Sequence, residues 1–139
     1  MTVLRSTNNG ETWTRIRVGS LGPGISYSIV KASNSNIYIG VFSGGSYYIY
    51  VSSDNGLTYS LFYTNETPYL INDITDIDGY LYITASSSDY VKQKIKRITY
   101  SGTVTGMDSF TYNNKIESVY GIVKVADYRD WEKIGRAHV

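Results

Sequence analysis

Three glycines set the frame of this 139-residue chain. Gly10, Gly56 and Gly102 stand 46 residues apart, first to second and second to third, and their surroundings repeat with them. "STNNGETWT" (6–14) and "SSDNGLTYS" (52–60) share one plan: Ser first, a short polar residue third, Gly fifth, then Thr and an aromatic. The third copy, "ITYSGTVTG" from Ile98, keeps the Gly but has Tyr100 at the third place. Outside these boxes "NIYIGVF" (36–42) matches "YLYITAS" (80–86), and "SIVKA" (28–32) returns as "GIVKV" (121–125). Units of this length cannot bury an apolar face alone, so a repeat of about 46 residues demands stacked neighbours.

Composition says what each unit is made of. Fifteen Tyr, with Ile, Val and Thr, favour half-buried strands, while 13 Gly with Asn, Ser and Asp supply turns. No segment keeps a helical period, so the chain reads as all-β. The middle unit divides into four strands, 27–33, 36–42, 47–52 and 58–63; the next gives 71–77, 80–86, 91–99 and a weak fourth at 103–110. In "VKQKIKRI" alternation is expected to put Val91, Gln93 and Ile95 on one face and the Lys and Arg side chains in solvent, which suits an outer strand. Four-stranded units at this period are expected to be blades of a β-propeller, with residues 1–132 forming about two and a half blades: 2–26, 27–63, 71–110 and 116–132.

Ser-x-Asp-x-Gly-x-x-aromatic resembles the Asp-box, or BNR repeat, of sialidase-like β-propellers. In that family the box is the turn between the third and fourth strands of a blade. Ser52, Asp54, Gly56 and Tyr59 match it; Ser6, Asn8, Gly10 and Trp13 match it with Asn for Asp; only Gly102 survives in the third copy. Every box residue has a structural task. The third-place side chain is expected to accept two backbone N–H groups, the Gly to take a positive φ, and Trp13 or Tyr59 to cover the turn.

A closed propeller needs roughly four to eight blades, so the chain is expected to be part of a longer polypeptide whose remaining blades are its partners. "IGRAHV" (134–139) resembles the in-frame translation of a sequencing-adapter DNA, and residues 133–139 are expected to be non-native. That sets aside His138, the only histidine.

Several chemistries are thereby disfavoured. Zero cysteines exclude thiolate metal sites and a Cys nucleophile. A formal charge of +1 gives no footprint for nucleic acid, no apolar run is long enough to insert in a membrane, and no cofactor or metal is expected. Sialidases carry an Arg-Ile-Pro motif and a channel arginine triad; here Arg15-Ile16-Arg17 lacks the Pro, so no catalytic residue carries over. Asp73 and Asp76, near an inner strand, are candidate ligand or catalytic carboxylates, whereas Asp78-Gly79 reads as a turn. In the loops expected opposite the boxes, Tyr47, Tyr69 and Tyr90 are candidates to stack on sugars, and Glu66 and Asp89 to bond hydroxyls. Asn65-Glu66-Thr67 fits a glycosylation sequon. The expected function is a non-catalytic propeller scaffold or recognition segment with a carbohydrate as candidate ligand; the alternative is a piece of a sialidase-like or other propeller glycoside hydrolase. The resemblance alone implies an extracellular or cell-surface setting.

Overall fold

A computed structural model describes residues 1–65, 69–87 and 92–111. These form ten β-strands and no helix: β1 (Thr2–Arg5), β2 (Thr14–Arg17), β3 (Gly24–Lys31), β4 (Ile37–Ser43), β5 (Ser46–Ser52), β6 (Ser60–Thr64), β7 (Leu70–Ile77), β8 (Tyr80–Ser86), β9 (Lys92–Thr99) and β10 (Val104–Thr111). They pair as a β1–β2 hairpin and two four-stranded antiparallel meanders, β3–β6 and β7–β10. The fourth strand of the second sheet, weak in sequence, is eight residues long and pairs with β9 along its length. The expected start of 116–132 and the tail at 133–139 lie outside the described residues.

Turn chemistry sets the registers. Gly44-Gly45 and Asp78-Gly79 hold positive φ at both positions, the two-residue hairpin geometry that matches strand twist, so Ser43 faces Ser46 and Ile77 faces Tyr80. In both sheets the first strand carries a register shift against the second, between Ser26 and Ser28 and between Ile71 and Asp73. Such bulges bend the strand and increase its twist.

The β3–β6 sheet is packed on both faces at its middle strands, β4 and β5. On one side Tyr38, Tyr47 and Ile49 pack with Ile71, Ile74, Leu81, Ile83 and Ile98 of the second sheet. On the other, Ile39, Val41, Tyr50 and Tyr59 pack with Val18 and with Met1, Val3 and Ile16 of the hairpin. Successive residues of β4 therefore point into different cores, which explains its unbroken apolar sequence. The backbones of the two sheets come closest where β7 passes β3 and β4. Gly40 permits that approach, since a Cβ there would lie 3.2 Å from Ile74 Cδ1.

The lysine assignment on β9 is overturned. Gln93 and Ile95 do share a face, but Lys96 is 3% exposed and points at the first sheet. Its Nζ donates to Asn65 Oδ1 (2.9 Å) and Tyr63 OH (3.2 Å), while Lys94 Nζ sits 4.0 Å from the centre of the Tyr69 ring. The long apolar stem crosses the interface and delivers the ammonium to acceptors at its rim, an option that alternation of polarity does not reveal.

Candidate functional site

The box turns at 6–13 and 52–59 are built alike. In the second, Ser52 Oγ accepts the Gly56 N–H (2.8 Å) and the Asp54 N–H (3.4 Å) and donates to Asp54 Oδ1 (2.8 Å). Asp54 Oδ1 also accepts the Thr58 N–H (2.9 Å), and Oδ2 accepts the Thr58 hydroxyl (2.5 Å). The acid faces the backbone N–H groups of Thr58 and, more weakly, Leu57, and the serine accepts two others, so the turn's amides are shared between the two side chains. The hydroxyl reaches both amides because it precedes them on the turn, while the carboxylate faces forward to Thr58. These bonds, the Thr58 hydroxyl foremost, hold the Asp54 carboxyl down to about 2.

The first box repeats the geometry with an amide. Ser6 Oγ accepts from Gly10 N (2.8 Å) and Asn8 N (3.3 Å), and Asn8 Oδ1 accepts from Thr12 N (2.9 Å). Here Asn8 Nδ2 donates to the Thr12 hydroxyl (2.8 Å), reversing the direction seen at Asp54. Trp13 Nε1 donates to Gly10 O (3.0 Å). Gly10 and Gly56 have φ of 88° and 80°, conformations that a Cβ would strain. The third turn keeps only this feature, with Gly102 at 90°. It is closed by Thr99, whose carbonyl accepts the Gly102 N–H (2.9 Å) and whose hydroxyl accepts the Thr103 N–H (3.1 Å).

Each later turn leans on the preceding element. Arg5 Nε of β1 donates to Asn55 O (2.6 Å), and a Cβ on Gly102 would sit 3.4 Å from Phe62 O of β6. The boxes thus join strands within a sheet and join neighbouring elements to one another.

The candidate carboxylates are engaged between sheets. Asp73 Oδ1 accepts the Ser28 hydroxyl (2.9 Å), and the same Ser28 Oγ accepts the Ile74 N–H (3.3 Å). Asp76 Oδ2 accepts the Ser33 N–H (2.8 Å) and Oδ1 the Tyr100 hydroxyl, which also meets Ser33 Oγ (2.6 Å). Tyr100, read in sequence only as a lost box residue, is therefore a tie between sheets, stacked near Tyr38. Burial and then the Asp76 carboxylate raise its hydroxyl pKa above 10.0. Asp78 lies in the β7–β8 turn.

Tyr47 is buried at the end of the first sheet against Phe42 and Tyr27, leaving little of its ring to stack on a ligand. Tyr69 carries the Lys94 ammonium on its ring. Glu66, Asp89 and Tyr90 lie outside the described residues. Asn65 is 2% exposed; its amide donates to Tyr69 O (3.0 Å) and accepts from Lys96, so the folded chain does not present it as a glycosylation acceptor.

Among the described residues the arginines do not converge. Arg5 serves a box, Arg15 and Arg17 are exposed on β2, and Arg97 lies over the Tyr80 ring and bonds Thr105. No group of three His, Cys, Asp or Glu side chains among the described residues is placed to hold a metal ion. Comparison with protein-family models, with curated proteins and with solved structures finds no match.

Proposed function

We propose that this chain is a segment of an Asp-box β-propeller whose role is scaffold or recognition rather than catalysis. The observation that carries the reading is the reuse of one hydrogen-bonded clamp, Ser-x-Asn/Asp-x-Gly, at the β1–β2 and β5–β6 turns, with all its polar side-chain atoms engaged in the turn. Two further features support it. The sheets are successive meanders, and they approach most closely at their first strands, as blades do around a channel. Asp73 and Asp76, the sequence candidates for catalytic carboxylates, act instead as fasteners between sheets.

In this reading the partners are further propeller units of the same polypeptide, and a glycan is the candidate ligand at the end opposite the boxes. There Pro23, Gly24, Ile25, Phe42, Ser43 and Gly44 line an open cleft of about 290 Å³. No observation favours the hydrolase alternative.

Two measurements test the proposal. Distances between spin labels on the outer strands β6 and β10 should exceed those between labels on β3 and β7; equal separations, as in a sandwich, would overturn the propeller. Fluorogenic sialosides and other aryl glycosides should not be turned over. A glycan array should give binding, if any, that is lost on substituting Phe42 and is unaffected by Asp54→Asn.

A further inference from the structure

We propose that Asn9 is a spontaneous deamidation site of the folded chain and that its counterpart Asn55 is shielded from the same reaction. Both precede glycine, both are exposed, and both have positive φ, 58° and 59°. Neither side-chain amide has a hydrogen bond among the described residues. The chemistry needs only water. The following glycine's amide nitrogen, after losing its proton to base, attacks the asparagine Cγ; the Cγ–Nδ2 bond breaks and ammonia leaves. Water then opens the five-membered imide at either carbonyl, giving aspartate or isoaspartate. Glycine is the favourable successor because no Cβ obstructs the attack.

The box opposes this step by holding the nucleophile. Gly10 N is bound to Ser6 Oγ and Gly56 N to Ser52 Oγ, each at 2.8 Å, so each turn must open before its glycine nitrogen can reach Cγ. The rate then follows the free energy of local opening, and here the two boxes part. Gly56 is buried, with Tyr59 OH, Ile37 Cδ1 and Arg5 Cδ around it, and Asn55 O is pinned by Arg5. Its clamp uses a carboxylate, whose hydrogen bonds are stronger than those of an amide. Gly10 is exposed, its clamp is the neutral Asn8, and its turn closes a hairpin of only two strands, with no further strand pairing to hold it shut, whereas the turn at Gly56 belongs to a four-stranded sheet. Isoaspartate at position 9 inserts a methylene into the main chain of that turn and breaks the Ser6–Gly10 register. Loss of the hairpin then exposes the core beneath it, where Ile39 and Val41 lie.

The full chain, incubated in mildly alkaline buffer and mapped by mass spectrometry that separates aspartate from isoaspartate, tests this. In denaturant the two sites should convert within about twofold of each other, since their local sequences are alike; in the folded chain Asn9 should convert about tenfold or more faster than Asn55. Asp54→Asn, which gives the second box the first box's neutral clamp, should accelerate Asn55 several-fold and leave Asn9 unchanged. Equal rates in the folded chain, a faster Asn55, no conversion at Asn9 while the denatured chain reacts fully, or an Asn55 rate unmoved by Asp54→Asn would each overturn the proposal.

Discussion

Ile29 and Ile74 hold the same place in their sheets and meet opposite fates. Each lies on a first strand just past the bulge, opposite the central isoleucine of the second strand, Ile39 or Ile83. Ile29 is 59% exposed and Ile74 3%. The boxes repeat the contrast: Trp13 is 59% exposed and Tyr59 9%, although both close the same clamp. Strand and turn are thus specified within a unit, whereas burial comes from the unit that packs against it. This is the energetic logic of repeat proteins, in which interfaces between neighbours carry much of the stability.

The largest expected effect breaks or confirms that contrast directly. Ile74→Ala should cost about 2–4 kcal/mol, because it empties a site enclosed by the first sheet. Ile29→Ala should stay within about 0.5 kcal/mol, as for an exposed side chain. Urea unfolding of both variants measures the difference. Equal costs would mean that Ile29 is covered in solution and that the two first strands are equivalent after all.

Next in size are the box glycines. Gly56→Ala strains a positive φ and brings a methyl within 3.2 Å of Tyr59 OH and 3.5 Å of Ile37 Cδ1, so about 1–3 kcal/mol is expected. Gly10→Ala meets only Trp13, an exposed ring held by a single hydrogen bond to Gly10 O, and should cost about 1 kcal/mol from the backbone alone. A larger loss at Gly10 in thermal unfolding would show that the first turn is held more tightly than its exposure implies.

These contrasts also mark what the sequence could show. The repeat, the strands and the box turns were legible because each rests on local chemistry: period-two patterning, Asn-Gly and Asp-Gly pairs, and Ser and Asp or Asn at fixed offsets. Sequence alone starts β3 at residue 27, three residues after Gly24, because the bulge between Ser26 and Ser28 disrupts alternation. Relations between units were not legible. Lys96 resembles its solvent-facing neighbours in sequence, and nothing local reveals that Tyr63 and Asn65 await it across the interface. Asp73 and Asp76 read in sequence as candidate ligand or catalytic carboxylates, yet their partners Ser28 and Ser33 lie 45 and 43 residues away, about one repeat. A polar residue facing the next unit and one facing a ligand look the same in a single sequence.

Tyr100 is the clearest such tie and gives a smaller effect. Tyr100→Phe removes its bonds to Asp76 and Ser33 while keeping the ring near Tyr38, so about 1 kcal/mol of stability should be lost. Its raised pKa has a definite sign: the contribution is fully present below the ordinary value of 10.0 and is lost as the pH rises above it. Wild type should therefore destabilise more steeply than Tyr100→Phe in alkaline urea titrations. Parallel curves would mean that the folded chain does not hold the Tyr100 hydroxyl above its ordinary value at all.

The subtlest contrast is between Asp54 and Asn8, and acid separates them. The Asp54 carboxyl is held at about 2, below its usual 3.8, chiefly by the Thr58 hydroxyl and amide and the Ser52 hydroxyl. A depressed folded-state value means that its stabilisation is complete above the ordinary carboxylate range and is lost as the pH falls from about 4 toward 2. Protonation blunts the acceptors that Thr58 and Ser52 use, so the second turn should loosen in that window. Asn8 makes the corresponding contacts with no proton to gain, and the first turn should be indifferent to it. Amide exchange at Gly56 and Thr58 should accelerate over this range relative to Gly10 and Thr12, and Asp54→Asn should abolish the difference. If both turns respond alike, the acid sensitivity belongs to the sheets and not to the clamp, and the two boxes differ only in their surroundings.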